Sequence, residues 1–267
     1  MTDLKNAAET ISRYLKVQTY PLALKFFHDS KDIPSDIRRP SVFGVKMAFC
    51  QINTIARKWG WSFAVTPEDI NCVAALMSFG WGDLDADLDK EEELIQFRIN
   101  AGYIKDREAA KKNLDKASSL MDEKNFSSQG LIVSPLDSGV IQDPDVILIY
   151  GNPAQMARMI QSMIYTEGGV IESWASIGAS CVREMIAPMI EDRAGYVIPG
   201  RGARQLGMAG DDEMVFTMPA GKLENFLTGV KETHEKGTKY PINQFLFFEP
   251  RFNKTVEKLR EKINLIK

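Results

Sequence analysis

The segment Asp145-Val146-Ile147-Leu148-Ile149-Tyr150-Gly151-Asn152-Pro153 predicts a buried strand that leads directly into a helix. Its unbroken apolar run, bounded by an aspartate and a glycine, is typical of a strand that is covered on both faces. Gly151 then provides a turn, Asn152 a helix N-cap and Pro153 a first helical residue. Methionines at 156, 159 and 163 continue as the apolar face of that helix. The segment therefore indicates a sheet that is covered by helices.

Other apolar runs of strand length lie on both sides of this segment, at 22–27, 61–65, 130–135 and 215–219. Helical periodicity is found at 3–16, 43–59, 108–121, 223–234 and 252–266. Because strands and helices do not alternate regularly, we predict an α/β or α+β fold with a mixed sheet covered by helices, and not a regular doubly wound sheet. No shift in composition divides the chain. We expect one compact domain over 1–267, with two intimate lobes, 1–125 and 126–267, as the alternative.

Composition and charge are those of an ordinary globular protein. The chain has 267 residues, of which 44% are hydrophobic and 26% charged, with a net charge of −3. This slightly acidic balance gives no reason to expect a nucleic acid or an acidic membrane as a partner. No apolar run approaches the roughly 20 residues of a membrane span, and the N-terminal residues do not resemble an export signal. We therefore expect a cytoplasmic protein that binds neither nucleic acid nor membrane.

The three cysteines of the chain, Cys50, Cys72 and Cys181, come from separate segments and form no local pair. An odd number of cysteines without an export signal favours thiols or metal ligands over a disulfide framework. Structural zinc sites favour local Cys-x-x-Cys pairs, whereas an iron–sulfur cluster can take thiolates from dispersed segments. Three cysteines would leave one iron of a four-iron cluster without a thiolate, which is the open position that Lewis-acid catalysis needs. The alternative is that all three thiols are core residues.

The local context differs among these cysteines. Small residues at 178–180 precede Cys181, and the pattern places it in the first turn of a helix, where backbone N–H groups favour a thiolate. A helix-start signal at 66–68 predicts that Cys72 lies one turn into a helix. The helical pattern over 43–59 places Cys50 in the middle of a helix, where plain packing would explain it.

A loop at 200–207 is the part of the chain that is densest in glycine and arginine. Arg201 and Arg204 offer planar guanidinium groups for a carboxylate or phosphate, and Gly202 exposes backbone N–H groups. The spacing matches neither a Walker A motif nor a dinucleotide-binding motif. Asn152 lies at a strand-to-helix turn of the kind that binds anions. The alternatives are a surface turn with solvated arginines and a simple helix cap.

The order and spacing of these motifs resemble the uncharacterised prokaryotic family catalogued as domain of unknown function 169. The resemblance covers nearly the whole chain. It is carried by Tyr20-Pro21-Leu22-Ala23-Leu24-Lys25-Phe26, Phe49-Cys50-Gln51, Thr66-Pro67-Glu68-Asp69-Ile70-Asn71-Cys72, Asn152-Pro153, Gly178-Ala179-Ser180-Cys181, Gly202-Ala203-Arg204 and Asp212-Glu213-Met214. Members of that family often carry another cysteine shortly before the glycine–arginine loop, but this chain has none at 197–200. The family has no assigned reaction, so the resemblance implies shared cysteine motifs and no particular activity.

These residues lead us to expect an iron–sulfur protein that performs non-redox chemistry, either hydration and dehydration or sulfur transfer, on a small anionic substrate. It would be a lyase or a sulfur-transferring enzyme. The predicted ligands of a [4Fe-4S] cluster are Cys50, Cys72 and Cys181. The predicted substrate-binding residues are Arg201, Arg204, Gly202 and Asn152. Two alternatives remain open: a metal-free small-molecule binding protein that uses the 200–207 loop, and a thiol redox sensor at Cys181.

Overall fold

Six strands form one open sheet in this computed structural model. The structure describes residues 3–81, 89–118, 128–176, 180–242 and 254–263. The strands are β1 (Leu22–Phe27), β2 (Phe63–Val65), β3 (Gly130–Pro135), β4 (Val146–Gly151), β5 (Gly195–Val197) and β6 (Met214–Pro219). They lie in the order β2-β3-β1-β4-β6-β5, and every ladder between these strands is antiparallel. The protein therefore has the α+β form of the predicted fold class. The sheet is antiparallel and not mixed as predicted, because all five ladders join strands that run in opposite directions.

Helices cover both faces of this sheet. The helices of the described residues are α1 (Leu4–Leu15), α2 (Phe49–Trp59), α3 (Val73–Ser78), α4 (Lys90–Asn100), α5 (Arg107–Ser118), α6 (Pro153–Glu167), α7 (Ala187–Glu191), α8 (Arg201–Gln205), α9 (Leu223–Glu235) and α10 (Lys254–Lys262). Of these, α4 and α5 form a small core of their own. A π-helical turn, Val182–Ile186, leads directly into α7. No helix in the described part of the chain is long and apolar enough to cross a bilayer.

Because side chains alternate along β4, its apolar run contributes to two cores, one on each face of the sheet. Side chains alternate along a strand, so Val146 and Leu148 of β4 face one side while Ile147 and Ile149 face the other. All four are fully buried. The central strand β1 pairs with β3 on one side and with β4 on the other, with Leu22 opposite both Pro135 and Leu148. The covered strand predicted at 145–150 is therefore confirmed, as are the bounds predicted for β1 and β3.

We call one side of the sheet the helix face, because the long helices α1, α6 and α9 cover it. The core on this side includes Ile147, Ile149, Met159 and Phe216. The methionines predicted to point inward from α6 are buried here. Gly229 of α9 packs directly on the α6 backbone, where a methyl group in place of its hydrogen would lie 1.8 Å from the carbonyl oxygen of Ser162.

The opposite side is the cysteine face, covered by α2, α3, the π-helical turn and α7. Its core includes Leu24, Phe49, Val146 and Leu148, and both Cys72 and Cys181 pack against it. The elements here are short, and irregular segments connect them.

Strands from both halves of the chain alternate in the sheet, since β3 lies between β2 and β1.

Candidate functional site

Cys50 is the second residue of α2, so the prediction that it lies in the middle of a helix is wrong. Ala48 is the extended N-cap residue, and its backbone N–H donates to Oε1 of Gln51. Just before it, the backbone N–H of Met47 donates to the carbonyl oxygen of Asp69. This bridge holds the chain extended where apolar periodicity had indicated helix. The thiol of Cys50 therefore lies at a helix N-terminus, 3.4 Å from the carbonyl oxygen of Gly202.

Cys72 is the N-cap residue of α3, and not a residue one turn into a helix as predicted. The start signal at 66–68 opens only a short 3₁₀ turn, Pro67–Asp69, after which the chain is extended again at Ile70. Asp69 fixes this turn, because its carboxylate accepts from the backbone N–H of Thr66 and pairs with Arg39 at 2.6 Å. Cys72 thus begins a new helix.

Cys181 is the N-cap residue of the π-helical turn, and the described residues here are helical from Ser180 onward. This agrees with the predicted first-turn position. Gly178 and Ala179 of the same motif lie outside the described residues. All three cysteines therefore lie at the N-terminal ends of helical segments, where free backbone N–H groups favour negative charge.

Cys72 and Cys181 pack against the core of the cysteine face, and Cys50 lies on α2, one of the helices that cover this face. Burial, with smaller contributions from the charges of Cys72 and Glu184, raises the pKa of Cys50 to about 12. Burial likewise raises the pKa of Cys181 well above its usual value, and both Cys72 and Cys50 add to that effect.

Glu184, on the π-helical turn, is a buried carboxyl group at the same site. Its side chain is 5% exposed, and burial raises its pKa to about 7, with Arg57 acting in the opposite direction. The charge of Glu184 in turn raises the pKa of both Cys50 and Cys181. Sequence reasoning missed this residue, although an acid within the apolar run at 182–187 was a usable signal.

Arg57 lies deeper in the same face and carries the positive charge of this region. It is fully buried and binds the Glu213 carboxylate through two hydrogen bonds of 2.6 and 3.0 Å. Its guanidinium carbon lies 4.1 Å from the ring centre of Tyr150. Asn53, one turn after Cys50, forms a side-chain hydrogen bond with Tyr150 but leaves its own buried Oδ1 without a donor. The inner end of the site can therefore accept one more hydrogen bond.

The segment 200–207 was predicted as a loop, but most of it forms the short helix α8, and we keep the name 200–207 loop for the whole segment. It lies directly against the first turns of α2. A methyl group in place of the Gly207 hydrogen would lie 2.8 Å from Cβ of Cys50, so only glycine allows this approach. The Thr54 hydroxyl donates to the Gly207 carbonyl oxygen. At the other end of the loop, Gly200 approaches the Ser180 hydroxyl, next to Cys181. The structure thus brings the predicted loop to Cys50, through Gly202 and Gly207, and to Ser180, the residue before Cys181.

The other predicted substrate-binding residues have separate roles in the structure. Arg204 donates to the carbonyl oxygen of Gly210 and lies 3.7 Å from the Asp211 carboxylate, so it braces its own loop. Arg201 is exposed and lies 5.9 Å from the ring centre of Tyr103. Asn152 caps α6 and donates to the Tyr240 hydroxyl at 3.0 Å. Asn152 therefore serves the start of α6, a helix of the opposite face.

Across the described ranges, no three or more His, Cys, Asp or Glu side chains are grouped so that they could hold a metal ion. A four-iron cluster is larger, since each thiolate binds a different iron and the ligands surround a bigger volume. Three soft thiol donors, an apolar wall and helix N-termini that donate toward sulfur are the chemistry that such a cluster requires. The chemical types of these residues therefore suit an iron–sulfur cluster.

Fold and site together define an α+β protein that gathers three thiols and a buried carboxyl group on one face of an antiparallel sheet. The chain belongs to the domain of unknown function 169 family, described as "Uncharacterised ArCR", whose model matches residues 10–229. That span includes all three cysteines, Glu184 and the 200–207 loop. The uncharacterized protein MJ0308 of Methanocaldococcus jannaschii is 25% identical over 141 residues, which cover 52% of this chain and 58% of that protein. No solved structure matches the chain.

Proposed function

We propose that this protein binds an iron–sulfur cluster through Cys50, Cys72 and Cys181, and that an iron without a cysteine ligand performs non-redox chemistry on a small anionic molecule. The observation that carries the proposal is the convergence of the three cysteines. They come from distant segments, and each lies at a helix N-terminus on one face of the sheet. A reducing cytoplasm, where we place the protein, keeps such thiols available.

Electrostatics support a cationic occupant. Buried thiols that raise one another's pKa resist ionisation, so three thiolates would be unstable here without a compensating positive charge. A bound cluster supplies that charge, and the thiol protons are released as it binds. Helix N-termini add donors that stabilise thiolate and sulfide. These electrostatic features support a cluster as the occupant.

The chain's own groups suggest how a substrate would be held. The 200–207 loop lies over Cys50, and Arg201 is exposed at the outer side of that loop. A guanidinium group at this position suits a carboxylate or phosphate. When bound, the cluster would supply a Lewis-acidic iron for hydration, dehydration or sulfur transfer. The apolar wall of the cysteine face would limit access of bulk water.

The redox-sensor alternative is less well supported. Reactive sensor cysteines have a low pKa and are accessible, whereas burial raises the pKa of Cys181. A metal-free binding protein would rely on Arg201, because Arg204 is already bound within its own loop. Neither alternative accounts for the gathering of the three thiols.

Anaerobic reconstitution with iron and sulfide tests the proposal. The wild-type protein should hold about four iron and four sulfide per chain and absorb broadly in the visible range. Replacing Cys50, Cys72 or Cys181 singly by serine should lower the retained iron several-fold, while the far-ultraviolet circular dichroism is unchanged. Ser78→Ala is the control, because it removes a buried hydroxyl from α3 without touching a thiol. Wild-type protein that stays colourless, with iron at background level, would falsify the proposal.

A further inference from the structure

Arg98 of α4 is a buried arginine whose hydrogen-bond acceptors are neutral. Its side chain is 4% exposed, and burial lowers its pKa. Its Nε donates to Oδ1 of Asn113 at 3.2 Å, and its Nη1 donates to the Leu94 carbonyl oxygen at 3.4 Å. Within the described ranges, its Nη2 has no hydrogen-bond acceptor and its charge has no carboxylate partner. A buried cation in such a position is stabilised by an anion that brings its own charge.

Arg98 lines a groove between α3 and α4. Side chains of both helices form its walls, among them Met77 and Leu94. The enclosed volume is about 20 Å³, which is room for one small polar group. The mouth is open and apolar, because Val73 is 49% exposed and Phe97 is 42% exposed. The groove therefore combines a narrow inner end beside a buried positive charge with an apolar mouth.

Neighbouring groups hold Arg98 in place at this inner end. Asn113 of α5, which accepts from Arg98, donates in turn to the Ser176 hydroxyl at 3.1 Å. The carbonyl oxygen of Arg98 accepts from the backbone N–H of Tyr103 at 2.9 Å, in the turn that follows α4. The guanidinium group is therefore already positioned, so little conformational entropy is lost when an anion binds to it.

The mouth of the groove lies next to parts of the candidate site. Val73 directly follows Cys72, the N-cap residue of α3. The ring of Phe97 packs edge-on against Tyr103, with ring centres 6.0 Å apart, and the guanidinium carbon of Arg201 lies 5.9 Å from the Tyr103 ring centre. A second arginine, from the 200–207 loop, is thus connected to the mouth through one aromatic ring.

We propose that Arg98 is the anion-binding residue of a site for small monocarboxylates with a short apolar chain. The carboxylate pairs with the terminal nitrogens of Arg98 at the inner end, because a guanidinium group matches two carboxylate oxygens in one plane. The apolar chain lies across Val73 and Phe97 at the mouth. As a statement about the substrate, this inference rests on the proposed function, but binding itself requires no iron.

Saturation-transfer NMR of the metal-free protein at constant ionic strength tests the site, with butyrate, acetate and butyramide as probes. Butyrate should bind about fivefold more tightly than acetate, because its two additional methylene groups are partly buried at the mouth. Butyramide has a similar size but no charge, and should give no measurable binding. Equal affinities for butyrate and butyramide would overturn the role of the buried charge, and equal affinities for butyrate and acetate would overturn the apolar mouth.

Variants assign this binding to Arg98. Arg98→Met should weaken butyrate binding at least about tenfold, since it removes hydrogen bonds to a charged group. Arg98→Lys retains the charge and should recover part of the affinity. Arg107→Met is the matched control, because Arg107 is an exposed arginine on α5 that pairs with Glu92, and its affinity should equal that of the wild type. Butyrate affinity unchanged in folded Arg98→Met protein overturns the assignment.

Phe97→Ser provides a test that retains Arg98 and so does not depend on the folding of its variants. It should abolish the preference for butyrate over acetate and leave the affinity for acetate unchanged. A preference that persists in this variant means that the apolar chain lies elsewhere, which overturns the proposed orientation. Iron retention is measured on separate samples, so failure of the cluster proposal and failure of this site are distinguishable.

Discussion

The two faces of the sheet bury similar apolar side chains but are covered in different ways. On the helix face, α1, α6 and α9 are regular helices of 12 to 15 residues that pack closely on one another. On the cysteine face, α3 has six residues, and the chain from 182 to 191 is divided between a π-helical turn and a short helix. Regular helices bury more backbone in satisfied hydrogen bonds, whereas short helices expose more N-termini. The helices of the cysteine face are therefore shorter and less regular, and a helical element starts at each of the three thiols.

The two faces also differ in the partners of their buried charged groups. Arg158 on the helix face binds neutral partners, Gln161 and Thr233, and burial lowers its pKa. Arg57 on the cysteine face binds a carboxylate and lies near a second one. The helix face therefore contains a buried arginine that is bound to neutral groups, whereas the cysteine face contains several charged groups that interact with one another. This difference indicates that one face serves stability and the other serves a site.

Replacement of Arg57 by methionine should have the largest effect on stability, and the same replacement of Arg158 should cost much less. Arg57→Met leaves Glu213 without its cation and should cost about 3 kcal/mol of unfolding free energy, at the lower end for a broken buried pair because Glu213 is partly exposed. Arg158→Met replaces a charge that is bound to neutral groups among the described residues with an apolar chain of similar length, so its cost should be about 1 kcal/mol or less. Urea unfolding of both variants measures the difference. Equal costs would contradict the contrast between the faces.

A pH effect of the metal-free protein should come from Glu184. Its pKa is raised from 4.5 to about 7, so the folded state keeps a proton that the unfolded state loses across this range. Stability should therefore fall as the pH rises from 4.5 to about 7 and then level off, by up to about 3 kcal/mol. Glu184→Gln should remove this part of the fall. Unfolding curves at pH values on both sides of the window test it, and an equally steep fall in the variant would count against a buried carboxyl group.

The smallest expected effect concerns the close packing of α6 against α9. Gly229→Ala places a methyl group against the Ser162 carbonyl and should cost about 1–3 kcal/mol by forcing α6 and α9 apart. It should leave iron retention on the opposite face unchanged. Gly221→Ala is the control, because open space surrounds that position, and its effect should stay within about 0.5 kcal/mol. If Gly229→Ala also lowered the iron content, the two faces would not be independent.

Local signals were the part of the structure that could be predicted. The apolar run at 146–150, the cap at Asn152 and the helix start at Cys181 are all decided by neighbouring residues, and the structure retains them. Cys50 was misplaced for a physical reason. The apolar spacing before it mimics a helix, but a backbone bridge between Met47 and Asp69 holds those residues extended. Such a bridge joins distant segments and leaves no periodic signal.

By itself, therefore, the sequence determined the covered central strand, the α and β elements, the family and the identity of three candidate thiol ligands. Tertiary structure alone decided that Cys50 lies in the first turn of a helix, that Gly207 lies against it and that Glu184 is buried. It also placed Asn152 at the start of a helix on the opposite face. The physical reason is that propensity and capping act over a few residues, whereas burial and electrostatic reach depend on which distant segments the sheet register brings together.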